Sequence, residues 1–194
     1  DEIFRDCISE TEKVMRKDKN IGAMAFPFEF NDREGRVQVS RHSECSNKLF
    51  TAKEITRKNI AEGSLLGAII SNVYAKTHIK GLRFNETFTG KSEFDIKVLE
   101  KSKAYYLDKV LARYNLDSHR THVEAISPQV YSESAFINLK ELSRLTKAGV
   151  FTLKEKEQMT QRVLINLEKN LASFTTNRTK VMLIMLNLVD LFSL

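Results

Sequence analysis

Ser92 to Asn115, SEFDIKVLEKSKAYYLDKVLARYN, is the stretch on which the reading of the fold turns. Phe94, Val98, Tyr105, Leu107, Val110, Leu111 and Tyr114 are its apolar positions, falling largely three or four residues apart with lysines between them. No Gly or Pro interrupts it. Ser92, with Asp95 three residues on, supplies the polar groups that satisfy free amides at a helix start. The segment therefore reads as one long amphipathic helix, and it makes the chain mainly helical.

Upstream, Thr51 and Glu54 have the capping-box spacing, in which hydroxyl and carboxylate each satisfy a backbone amide of the other. A helix is expected from there to about Lys76, with Ile55, Leu66, Ile69, Ile70, Val73 and Tyr74 towards the core and Gly63 and Gly67 allowing a close neighbour. Before it, Phe26, Phe28 and Phe30 alternate, Asn31 to Gly35 carry turn chemistry, and Val37 and Val39 resume the alternation, which predicts a β-hairpin. Pro27 lacks an amide hydrogen and belongs at an edge or a bulge. From Glu2 to Lys19, Ile3, Phe4, Cys7, Ile8, Val14 and Met15 read as an amphipathic helix stopped by Asn20 and Gly22.

Downstream, Leu116 to Pro128 is polar and reads as a loop with a short β-leaning run at His122 to Ile126. Phe136, Leu139, Leu142 and Leu145 mark a further helix closing at Ala148-Gly149. Thr152 and Glu155 repeat the capping box ahead of Met159, Val163, Leu167 and Leu171, and a last, almost wholly apolar helix is expected from Thr176. The expected fold class is mainly α, an α+β chain with helix predominating, in which an N-terminal β-hairpin packs against a bundle of about five helices. Residues 1–50 would form the first helix and the hairpin, and 51–194 the bundle, as one compact unit. The apolar finish at Phe192-Ser193-Leu194 reads as a boundary inside a longer protein.

The 194 residues are 42% hydrophobic and 29% charged, with seven Gly and two Pro, which excludes a disordered or low-complexity chain. Two cysteines, Cys7 and Cys45, make no disulfide framework and point to a reducing, cytoplasm-like compartment. The longest apolar run, Val181 to Leu186, falls far short of the roughly 18 to 20 residues needed to span a bilayer. A Gly-rich phosphate loop, GxSxG and HExxH are all missing, which argues against nucleotide hydrolysis and the common hydrolase classes, and nothing calls for a cofactor.

Charge carries the first functional reading. Thirty-one Lys and Arg against 25 Asp and Glu leave +6, which favours nucleic acid or an acidic protein surface as partner. Lys97, Lys101, Lys109, Arg113 and Arg120 run along the supposed helix with Tyr105, Tyr106 and Tyr114 interleaved, a pattern suited to phosphates and unpaired bases. The expected function is a non-enzymatic basic module binding nucleic acid or another acidic partner. A second reading is a protease-like enzyme with Cys45 as nucleophile, because a thiolate at a helix start is stabilised by exposed amides. His119 or His122 would act as its base, with Glu124 or Glu141 orienting the ring. A third is an interaction domain of a larger protein, docking through the apolar terminal helix 181–194 or the first helix. His119, His122 and Glu124 also form an H-x2-H-x-E cluster, but two ligands and a weak third in a polar loop do not make a metal site.

Overall fold

The computed structural model describes residues 1–31, 35–62, 65–66, 69–84, 90–115 and 128–172. It overturns the helical bundle. The chain is an α+β fold whose described residues form eight strands in two four-stranded mixed sheets, and six α-helices. Contacts divide it into two compact units, one built from Asp1–Thr56, Ser64–Leu82 and Lys97–His122, the other from Arg57–Gly63, Arg83–Ile96 and Val123–Leu194.

The first unit holds both sheets. Its elements are β1 (Glu2–Ile3), α1 (Cys7–Met15), β2 (Ile21–Ala25), β3 (Phe28–Asn31), β4 (Val37–Ser40), β5 (Lys48–Phe50), β6 (Asn72–Tyr74), α3 (Lys76–Ile79), β7 (Lys103–Tyr106) and β8 (Ala112–Tyr114). One sheet runs β1-β8-β3-β4 and the other β5-β7-β2-β6. β2 lies parallel to β7, and β3 parallel to β8, so the same two chain segments form the parallel pair in each sheet. They cross between sheets at Pro27 and at Leu107 to Leu111. There Leu107 N donates to Ala25 O and Leu111 N to Pro27 O, while Pro27, with no N–H, leaves no donor unmet. Phe26 and Leu111 are buried at this crossing with Cys7 and Ala112, with Phe28, Ile70, Val73 and Leu107 packed against them. β2 is buried on both faces along its whole length, as a central strand of a parallel pair should be.

Three expected helices are thereby corrected. Ser92 to Asn115 is α4 (Gly90–Leu99) followed by β7 and β8, and Ser92 lies inside the helix rather than capping it. Burial alternates along β7, with Ala104 and Tyr106 inward, so cross-strand pairing wins over the helical spacing of the neighbouring positions. The helix capped at Thr51 is α2 (Ala52–Ala61) and stops there, a 3-10 turn at Ile69–Ser71 and β6 following. The first helix is only Cys7–Met15, because Glu2 and Ile3 pair with Arg113 and Ala112. The hairpin of β3 and β4 forms one side of a larger sheet, with β4 at its edge and β3 continuing to β8, and is not a lone hairpin against helices.

The second unit is helical. α5 (Pro128–Lys147) and α6 (Leu153–Ala172) form an antiparallel pair. Leu139, Leu142 and Leu145 of α5 and Met159, Val163, Leu167 and Leu171 of α6 close on Ile60, Ala61, Ile96 and Phe151. The turn between them is a Schellman exit: Val150 N donates to Leu145 O and Gly149 N to Thr146 O, with Gly149 at φ 76°. Thr152 then caps α6, its N–H donating to Glu155 Oε2 and its hydroxyl accepting from Glu155 N. The last carbonyls of α2 are satisfied by side chains, Ile60 O by Asn138 Nδ2 at 3.3 Å and Ala61 O by Asn166 Nδ2 at 3.1 Å.

Candidate interaction surface

Cys45 closes a 3-10 turn, Ser43–Cys45, and its backbone N–H donates to His42 O. Its side chain is 2% exposed, and its thiol lies 3.4 Å from Glu44 Oε1. A histidine that the sequence reading passed over stands nearby: His42 Nδ1 is 3.6 Å from the same carboxylate oxygen. Its ring meets Tyr106 edge-on, and its backbone N–H donates to the Tyr106 hydroxyl. Burial, ahead of the other influences, pushes the Tyr106 phenol above its ordinary value. Asp108 anchors the rest of the loop, accepting from Ser46 Oγ at 2.6 Å and pairing with Arg41 at 3.3 Å. The thiol is thus closed from solvent inside a hydrogen-bonded turn. His119, His122 and Glu124, its expected partners, and Arg120 lie outside the described residues, as does the terminal segment 181–194. Glu141 is buried on α5 of the second unit and paired with Arg144 at 2.7 Å.

The expected cationic track is engaged locally. Arg113 reaches Glu29 at 2.9 Å and Glu2 at 3.3 Å across neighbouring strands, and its guanidinium lies over the Phe4 ring. Lys109 lies 3.5 Å from both Asp6 and Glu10, and Lys103 is 2.8 Å from Asp18. Hydrogen bonds from Lys103 and from the Asn20 amide hold the Asp18 carboxyl below its usual value. Lys97 is half-buried on α4, and Lys101 is exposed, with Glu100 at 4.0 Å. Tyr106 is buried and Tyr105 and Tyr114 half-buried, Tyr114 lying edge-on against Phe28.

A different set of cations is left open. Lys17 and Lys19 follow α1, and Lys76 and Lys80 lie at the two ends of α3; all four are exposed. α3 and the loop after α1 meet at the entry of β2. Ala75 N donates to Gly22 O at 2.9 Å, and His78 Nε2 donates to Lys19 O at 3.1 Å, which fixes the ring proton on that nitrogen. Asp18, the nearest acid in sequence, is occupied by Lys103, and among the described residues none of the four lysines has a carboxylate partner. The run Lys76-Thr77-His78-Ile79-Lys80 was visible in the sequence, but the contact of its His78 with the Lys19 backbone arises only when α3 folds back on the entry of β2.

Among the described residues no group of three or more His, Cys, Asp or Glu is placed to hold a metal ion, and no helix is long and apolar enough to cross a membrane. No protein-family model matches the chain, and no curated protein matches it either.

Proposed function

We propose that the chain is a non-enzymatic binding module for an acidic partner, engaged through Lys17, Lys19, Lys76 and Lys80. The observation that carries this reading is the contrast between two sets of cations on one unit: Lys103, Lys109 and Arg113 are matched to carboxylates, whereas these four are exposed and unmatched among the described residues. Unmatched cations attract a polyanion at no cost in broken ion pairs, and the attraction weakens with salt.

Titration of the full chain with labelled poly-glutamate and with a single-stranded oligonucleotide, over a series of salt concentrations, tests it. Four phosphate contacts on a single strand correspond to a slope of about −2.8 in log affinity against log salt. Replacing the four lysines by glutamine should flatten that dependence, while Arg113→Gln should leave it unchanged. A salt-insensitive affinity, or an equal effect of Arg113→Gln, would remove the reading.

A further inference from the structure

A groove of about 520 Å³ runs between α1 and β6, next to the lysine cluster. Cys7, Ile8, Thr11 and Met15 of α1 and Val73 of β6 form its apolar lining, and Glu12, Arg16 and Lys19 its polar lining. Thr11 donates its hydroxyl to Cys7 O at 2.7 Å, inside its own helix, so it leaves no unmet donor there. Burial pushes the Cys7 thiol up, keeping that wall neutral. Glu12 and Arg16 neutralise each other at 2.9 Å. Lys19 is therefore the lining charge left unbalanced among the described residues, with Lys17 two residues before it in the chain.

We propose that this groove receives an acidic amphipathic segment of a partner protein, its aliphatic side chains seated on Ile8, Met15 and Val73 and its carboxylates facing Lys19 and the neighbouring lysines. The proposal rests on the acidic-partner reading and specifies its chemistry. The apolar lining selects a polypeptide over a nucleic acid. Among the described residues no aromatic ring lines the groove for a base to stack on, and a nucleic acid brings no aliphatic side chain to fill it. Its volume lies within the usual few hundred to about 1,000 Å³ of binding clefts. Met15 offers an adaptable wall, and Ile8 is 71% exposed, an apolar side chain that a docked segment would cover.

Fluorescence anisotropy on the full chain, with a labelled peptide of Glu and Leu in helical alternation and poly-glutamate of equal length as control, tests the proposal. The Leu-containing peptide should bind about tenfold more tightly, as expected for burying a side chain or two. Ile8→Ser, at an exposed position, should abolish that advantage and leave the poly-glutamate affinity as it was, whereas Lys19→Gln should weaken both peptides. Equal affinity for the two peptides, or an inert Ile8→Ser, overturns the groove and leaves the lysine reading standing. Failure of both peptides to bind in a salt-dependent way overturns the lysine reading itself. Tighter binding to vesicles of anionic lipid than to the Glu/Leu peptide also overturns the proposal.

Discussion

Arg113 on β8 sits directly between Glu2 on β1 and Glu29 on β3, so three neighbouring strands place a positive charge flanked by two negative ones on one face of the sheet. Opposite charges facing each other across strands stabilise a sheet modestly, and exposure to water and salt limits the gain. A double-mutant cycle of Arg113→Gln and Glu29→Gln should return a coupling of about 0.5 kcal/mol at low salt, fading in molar salt. Denaturant midpoints of the four proteins at two salt concentrations would measure it.

Gly22 and Ser102 allow no added methyl. A Cβ on Gly22 would lie 2.1 Å from Ser102 Oγ and 2.5 Å from Ser102 Cβ, and Ser102 is itself buried and donates to Val98 O. Gly22→Ala should therefore destabilise by about 1 to 3 kcal/mol, the usual cost of overpacking. Ser102→Gly in the same chain should recover part of the loss. Thermal unfolding of both variants decides it, and a silent Gly22→Ala would mean that the two backbones can separate freely.

At the turn between α5 and α6, conformation and capping can be separated. Gly149→Ala places a Cβ in the left-handed region and should cost about 1 to 2 kcal/mol although nothing surrounds that position. Thr152→Ala removes the acceptor for the Glu155 amide and should cost about 1 kcal/mol. The two sites are close, so the double variant is the informative measurement: costs that simply add would show that turn and cap act independently.

Asp18 links stability to acid. Its folded value lies below the ordinary 3.8, chiefly through Lys103, so its contribution is complete above that value and disappears as pH falls through the folded one. Asp18→Asn keeps an acceptor for the Asn20 amide and removes the charge. The urea midpoint of Asp18→Asn should fall below that of the parent at pH 7, and the gap should narrow progressively as pH falls below the ordinary carboxylate value of about 4. A gap that persisted at the lowest pH would assign the effect to geometry instead of charge.

What the sequence made legible was local. The capping boxes at Thr51 and Thr152, the glycine exit at Gly149, the pairing of Phe28–Asn31 with Val37–Ser40 and the leucine stripes of α5 and α6 all rest on neighbours in the chain and appear where the residues placed them, whereas Phe26, expected in the same alternation, lies outside the strand at the crossing between sheets. The exception within those helices is Phe136, which the stripe put inside and which is partly exposed. The missed elements rest on distant neighbours. Ile21–Ala25 has no alternation because both faces are buried, and with Gly22 inside it resembles a helix stop more than a central strand. Lys103 to Tyr114 carries helical spacing at Leu107, Val110, Leu111 and Tyr114, and only its pairing with β2 and β3 makes it two strands. The candidate surface was hidden for the same reason, since Lys17 and Lys76 are distant in sequence.

The parallel ladder of β2 with β7 gives the order of synthesis a consequence. Ala23 is translated roughly 80 residues before the Ala104 that will lie beside it. At ordinary elongation rates of about 5 to 20 residues per second, a strand destined for full burial waits about 4 to 16 s for its central neighbour. In that interval only β6, translated sooner, can cover one of its edges. A nascent chain arrested before Lys103 should consequently expose the Ile21 to Phe26 segment to chaperones or to other chains, and the two sheets of the first unit should acquire their protease resistance in one late step once Tyr114 has left the ribosome.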